Sequence, residues 1–280
     1  MFKMFNKKKQ KFLFTIICAT YGKLNNLDSL CKSLNNQNYG KFELLICDQN
    51  KNSTNKKFVK KYKNIKILFI KSKIGLSKAR NKGINYARGN YLIFLDDDIY
   101  LQKNFLNQIN NYLNSSDVEI LTYRVINNKK KPLLNYPKKN CYLKSYNEIF
   151  NSISSVSFVI KNKYKIFFDE KLGLGSKNIY KSGEETDYIL RSIKKYNCRI
   201  FYNKKIFVTH TERKIPPIDQ IKKSFFYGCG WSYVVKKNKL GFYFTLNSIL
   251  KIFFNIGYHI FTLNFKKFIL SICTILGRIY

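Results

Sequence analysis

Acidic residues are scarce in this chain: 16 Asp and Glu stand against 52 Lys and Arg in 280 residues, a formal net charge of +36. Histidine is scarcer still, with two. The seven cysteines are odd in number, scattered and never spaced as CxxC, which excludes a zinc site or a disulfide framework and marks them as reduced, core-type thiols of a cytosolic protein. No GxGxxG follows the first apolar run, which argues against a dinucleotide site. No GxxxxGK followed by Ser or Thr occurs, which argues against a P-loop. Lys7 to Lys11 and the following FLFTIICA imitate a secretory signal, but no A-x-A-like cleavage site follows and the same residues serve as a first strand. A strong positive charge raises nucleic acid as a partner. The Lys are spread through the whole chain, not confined to a basic arm, so the expected partner is an anionic membrane surface, with no nucleic acid.

Against that background the clustering of acids is informative. In GNYLIFLDDDIYL, Gly89 to Leu101, a wholly apolar run from Tyr91 to Leu95 has the look of a strand buried on both faces, and Asp96, Asp97 and Asp98 follow it directly. Capping of a following helix explains one Asp, not three. Three adjacent carboxylates at a strand end call for a cation, and hard divalent ions of the Mg²⁺ type take oxygen ligands and share their sites with substrate phosphates.

Taken in order, Phe12–Cys18 forms a buried strand, a helix carries Leu24, Leu27, Leu30, Cys31 and Leu34, and Phe42–Cys47 is a second strand ending at Asp48. A Lys- and Asn-rich segment with a helical centre leads to a third strand, Ile65–Ile70, and Gly75–Arg88 is a helix. This alternation predicts a parallel sheet with right-handed crossovers. Ligands of such sheets bind beyond the carboxyl ends of the strands, where Thr20, Tyr21, Asp48 and Asp96 to Asp98 all fall. A carboxylate such as Asp48 accepts hydrogen bonds from a base N–H or a ribose hydroxyl. Further on, Phe105–Leu113 is predicted helical, Val118–Ile126 and Ser155–Lys161 extended, and Asn127–Asn140 a basic connector with two prolines. Glu184, Glu185 and Asp187 form a second acidic cluster at the start of a helix to Tyr196, where the helix dipole alone favours acids.

The ordered set resembles the nucleotide-sugar-binding half of a family 2 glycosyltransferase. The matching pieces are ATYGK after the first strand, ICDQN after the second, GLSKARNKGINYARGNYLIFLDDD, and the later GEETDYILR. The resemblance implies an α/β fold of GT-A type: a Rossmann-like, mostly parallel sheet flanked by helices. It implies that Thr20, Tyr21 and Asp48 contact the nucleoside, that Arg80 lies near the donor, and that Asp96 to Asp98 are the DxD motif. Within that motif Asp96 and Asp97 would serve the donor, and Asp98 would bind Mg²⁺ or Mn²⁺. Family members usually carry Glu-Asp in the second cluster, with the Asp as catalytic base. Glu185 occupies that place here with one extra methylene, Glu184 is the fallback, and Asp187 orients the helix or the acceptor. His210, by default a surface or capping residue at a strand end, would be a further metal ligand, and His259 is structural.

These implications describe an inverting enzyme that transfers a sugar from a nucleotide sugar, most simply a UDP-sugar, to a glycan or lipid-linked acceptor. The basic segment 1–11 precedes a catalytic domain over 12–214, divided into a donor half, 12–101, and an acceptor half, 102–214. Residues 215–280 are apolar and aromatic with Lys at intervals, which fits amphipathic helices lying in a membrane interface on the inner face of the cell membrane better than a spanning helix or plain soluble packing. A basic nucleic-acid-binding protein would account for the charge but leaves both acidic clusters without a purpose. The Glu185 departure also leaves open a non-catalytic relative.

Overall fold

The computed structural model describes residues 12–22, 25–51, 61–211 and 215–280. The basic segment 1–11, Leu24, and the helical centre expected between the second and third strands lie outside them. The organising strand is β1 (Phe14–Thr20), buried along its whole length. Its alternating side chains supply two cores: Phe14, Ile16 and Cys18 on one face, Ile17 and Ala19 on the other. On either side β2 (Phe42–Asp48) and β4 (Tyr91–Asp96) pair with it in parallel, and β3 (Lys66–Lys71) extends the sheet beyond β2.

The remaining strands are β5 (Ile99–Leu101), β6 (Ile120–Ile126), β7 (Cys141–Tyr142), β8 (Phe158–Lys161) and β9 (Ile200–His210). The sheet runs β3-β2-β1-β4-β8-β6-β9-β5, with β7 also paired to β9. Its long pairings are parallel, β6 with β9 included, while the antiparallel ones involve the short strands β5, β7 and β8. Helices α1 (Asn25–Asn35) and α3 (Phe105–Ser115) cover one face, sending Leu27, Leu30, Phe105 and Ile109 into the first core. The other face carries α2 (Leu76–Tyr86) and α5 (Glu184–Tyr196), with Ala79, Ile84, Tyr188 and Ile189 in the second core.

Several elements escaped the sequence pattern, the two-residue β7 among them. Strand β5 is only three residues long and follows β4 after a two-residue turn made by Asp97 and Asp98. Strand β9 begins at Ile200, well before His210, but Asn203, Lys204 and Lys205 interrupt its apolar pattern where its register against β6 shifts. Helix α4 (Tyr146–Ser152) is short, but Ser145 and Glu148 close a capping box at its start. The segment 127–140 is anchored: Asn127 Oδ1 accepts the N–H groups of Lys129 and Lys131, and the Tyr136 hydroxyl accepts the Val125 N–H at 2.9 Å.

The C-terminal segment consists of α6 (Pro217–Asn238), α7 (Phe242–Phe261) and α8 (Phe265–Ile279). Helix α6 is tied to α5 through Asp187, whose buried carboxylate accepts bonds from Lys237 Nζ and Asn238 Nδ2, both at 3.0 Å, and from Arg191 Nε at 2.8 Å. Helix α8 packs on α6 where two glycines meet: a Cβ on Gly228 would lie 2.9 Å from the Gly277 Cα. Helix α7 joins α8 through Ile252, Ile256 and Ile275. Among the described residues no helix is long and apolar enough to cross a membrane.

A second close approach seats α2 on the sheet. A Cβ on Gly83 would come within 2.5 Å of Ile17 Cγ2 and 3.1 Å of Cys47 Sγ. Gly83→Leu is therefore expected to cost about 1–3 kcal/mol by overpacking. It should lower the denaturant midpoint without changing the m-value.

Candidate active site

Strand register assembles the site. Thr20 is level with Asp48, and Ala19 with Asp96, so three strand ends present Thr20, Asp48 and Asp96 along one edge of the sheet. The chain then turns through Asp97 and Asp98 into β5, whose Ile99 pairs with His210 at the end of β9. That antiparallel pairing brings His210, distant in sequence, beside Asp98: His210 Nε2 lies 3.5 Å from Asp98 Oδ1. Thr20 Oγ1 donates to Asp97 Oδ2 at 2.7 Å, turning that carboxylate back toward β1. Asp48 is buried, and its Oδ1 accepts both the N–H and the Nδ2 of Asn50 at 2.9 Å. Tyr21, one residue beyond β1, is exposed.

Arg80 joins this edge to the second acidic cluster. Its side chain is fully buried, with Nη2 3.0 Å from Asp96 Oδ1 and Nη1 3.2 Å from Glu184 Oε1. The position of α2 that allows this is set at its first turns, where the Gly75 N–H donates to Gln49 Oε1 at 2.8 Å and Ser77 Oγ to the Leu172 carbonyl at 2.7 Å. Asn81 fastens the next turn, exchanging two bonds with the Phe168 backbone. The glycine-rich approach to α5 ends at Gly183, which adopts φ 85° and leaves no room for a side chain beside Val234. That turn directs both Glu184 and Glu185 into a cleft of about 580 Å³ that Asp96 also lines.

The two glutamates differ in their surroundings. Burial raises Glu184, opposed by the Arg80 guanidinium with which it pairs. Burial and the neighbouring Glu184 carboxylate push Glu185 up to about 8. Tyr227 of α6 also lines the cleft, and it is raised first by burial and then by the charges of Glu184, Glu185 and Asp96. Asp187 does not line the cleft; it is spent on the α5–α6 junction described above.

Asp96, Asp98 and His210 each offer a ligand atom, and these atoms lie within 4.8 Å of one another. Two carboxylates and an imidazole suit a divalent cation of the Mg²⁺ or Mn²⁺ kind. Asp96 thus faces both Arg80 and this cluster. Other cleft residues carried no sequence signal: Leu134 from the proline-containing connector, Lys181 before α5, Lys223 and Trp231 of α6, and Arg278 of α8.

The fold is that of a GT-A glycosyltransferase: the S. aureus TarS 1–349 crystal structure in complex with UDP-GlcNAc superposes with a TM-score of 0.59 at 18% identity, over 78% of this chain and 66% of that one. Residues 15–170 match the description of Glycosyl transferase family 2, and the chain belongs to that family. An uncharacterized glycosyltransferase of Methanocaldococcus jannaschii is 30% identical over 176 residues, 58% of this chain and 61% of that protein. A UDP-Glc:alpha-D-GlcNAc-diphosphoundecaprenol beta-1,3-glucosyltransferase of Escherichia coli is 31% identical over 121 residues, 42% of this chain and 48% of that protein. The chain thus spans about half the length of these curated relatives.

The raised Glu185 carboxyl has a consequence for stability. Its folded value of about 8 lies above the ordinary 4.5, so between these values the folded state keeps a proton that the unfolded state has lost, and stability falls as pH rises. Glu185→Gln removes this loss. The variant should match wild type near pH 4 and exceed it by about 2–4 kcal/mol at pH 9, as read by denaturant melts at the two pH values.

Proposed function

We propose that the protein is an inverting glycosyltransferase that moves a sugar from a UDP-sugar to a hydroxyl of a glycan or lipid-linked acceptor, in surface polysaccharide or glycolipid synthesis. The observation that carries this reading is the convergence of Thr20, Asp48, Asp96 and Asp98 on one sheet edge, with Glu184 and Glu185 bordering the adjoining cleft. The UDP-GlcNAc bound by the TarS structure and the UDP-Glc named for the E. coli relative support a uridine donor. The diphosphoundecaprenol in the latter name supports a lipid-linked acceptor.

In this reading Asp48 accepts a hydrogen bond from the base or ribose of the donor, and Thr20 and Tyr21 border the nucleoside. Asp98 and His210, joined by Asp96, would hold Mg²⁺ or Mn²⁺, which supplies positive charge to the leaving diphosphate. Arg80 holds Asp96 in place toward the donor. Glu184 is engaged by Arg80, so Glu185, in the fraction of molecules where it has lost its own proton, is the base available to the attacking acceptor hydroxyl, and transfer rises with pH toward about 8. Attack on the anomeric carbon opposite the departing diphosphate inverts that centre.

The outward side of the C-terminal helices supports a peripheral position on a membrane surface. Phe253, Phe254, Tyr258 and Phe261 are exposed on α7, Phe254 by 77% and Phe261 by 87%, with Lys251, Lys266 and Lys267 also exposed. Aromatic residues interleaved with Lys fit the boundary of an anionic bilayer.

UDP with Mn²⁺ at 100 times its dissociation constant should stabilise the protein by about 2.7 kcal/mol. That raises the melting point by roughly 5–10 °C. Asp98→Ala should lose both this shift and sugar transfer while keeping the fold; retained transfer in the variant would sink the metal and donor assignment. On vesicles rich in phosphatidylglycerol, replacing Phe253 and Phe254 by Ser should weaken co-sedimentation by about tenfold or more. UDP binding should be unaffected, and wild-type protein that ignores such vesicles would refute the membrane position.

A further inference from the structure

The cleft has two unlike sets of walls. Asp96, Glu184 and Glu185 line it from the sheet edge and α5, whereas Lys181, Lys223 and Arg278 line it from the approach to α5, from α6 and from α8. The acidic side has its counter-charge in Arg80. Among the described residues the basic side is met only by neutral groups. Lys181 Nζ donates to the Ser176 carbonyl at 2.6 Å, and Lys223 Nζ sits 5.0 Å from the centre of the Tyr227 ring.

Arg278 is the most confined of the three cations. Its Nη1 donates to the Ser248 carbonyl at 3.0 Å, its guanidinium lies 4.1 Å from the centre of the Trp231 ring, and its Nε is buried with no hydrogen-bond partner. Among the described residues it has no carboxylate partner, and burial alone pulls it down to about 10. A guanidinium withdrawn from water without a counter-charge is costly, and stacking on an aromatic ring offsets only part of that cost. The planar fork of donors matches the oxygens of a phosphate group.

We propose that this basic wall is a subsite for a phosphate or diphosphate ester carried by the acceptor, with Arg278 as its anchor. The proposal rests on the glycosyltransferase reading and deepens it. The donor occupies the sheet edge, so an anion at the opposite wall belongs to the other substrate. Asp96, Glu184 and Glu185 repel such a group and confine it to the basic side. The acceptor is thereby oriented, its charged end against α8 and its hydroxyl toward Glu185.

Trp231 is the sole tryptophan of the chain, and it stacks on the proposed anchor, so its emission reports on the subsite directly. The full-length protein, saturated with UDP and Mg²⁺ to fill the donor site, is titrated with inorganic phosphate, geranyl diphosphate, neutral geraniol, and vesicles of phosphatidylglycerol or phosphatidylcholine. Geranyl diphosphate should change the emission saturably, inorganic phosphate more weakly, and geraniol not at all. Arg278→Met should raise the apparent Kd for geranyl diphosphate about tenfold or more, Arg278→Lys should rescue part of the loss, and Lys223→Gln should weaken binding about threefold. Equal binding of geraniol, a response confined to phosphatidylglycerol vesicles, or unchanged affinity in both Arg278→Met and Lys223→Gln would overturn the proposal. A UDP-induced thermal shift in each variant certifies its fold, and if Arg278→Met does not fold, the exposed Lys223 decides. Absence of that shift in wild type would count against the donor reading, and the phosphate titration would still decide the subsite.

Discussion

One buried guanidinium holds the site together. Arg80 projects from α2 between the end of β4 and the start of α5, and its two terminal nitrogens bind carboxylates that are 88 residues apart in the chain, Asp96 and Glu184. Removing one partner of a buried ion pair leaves the others uncompensated and typically costs about 3–5 kcal/mol. Here three charges would be disturbed at once. The positions of Gly75, Ser77 and Asn81 along α2, each bonded to a loop from another part of the chain, follow from the need to hold that guanidinium still. The face of Phe168 lies 5.5 Å from it and closes off water on one side.

Arg80 also divides labour between two adjacent glutamates. Glu184 faces the guanidinium, while Glu185 has no ion pair among the described residues and is driven toward its protonated form. In a chain so rich in Lys, this concentration of negative charge in one cleft is local and deliberate in its geometry: the sheet edge, the turn after β4 and the first turn of α5 each contribute. The surrounding positive field favours the approach of anionic substrates from a distance, and the acidic interior then sorts where their charges come to rest.

Much of the sheet-edge site was legible in the residues themselves. Apolar runs ending in polar residues marked β1, β2 and β4, and the carboxyl-end rule placed Thr20, Asp48 and Asp96 together before any coordinates. His210 was legible only through family likeness, because its approach to Asp98 depends on β5, three residues with no periodic signature. The preference for Glu185 over Glu184 came likewise from family likeness, since the two are neighbours in one helical turn; what the structure adds is that Arg80 pairs with Glu184. The far wall was silent for a similar reason. Trp231 and Arg278 look like ordinary residues of amphipathic helices, and only the packing of α8 on α6 brings them into the cleft. Composition divided the chain near residue 215, whereas the packing does not, because Asp187, Lys237 and Asn238 cross that line.

The glycine contact between α6 and α8 has a wider consequence. Because Gly228 and Gly277 bring these helices together so closely, α8 acts as a partition: Arg278 and Thr274 look inward at the cleft, while Leu276 and Ile279 look outward with the exposed aromatics of α7. Under the proposed function, grip on a surface and shape of the pocket would thus be written on opposite sides of a single turn of helix. The two duties cannot drift independently in evolution, and a lineage that adapts its outer face to a new surface inherits, in the same stroke, an altered pocket.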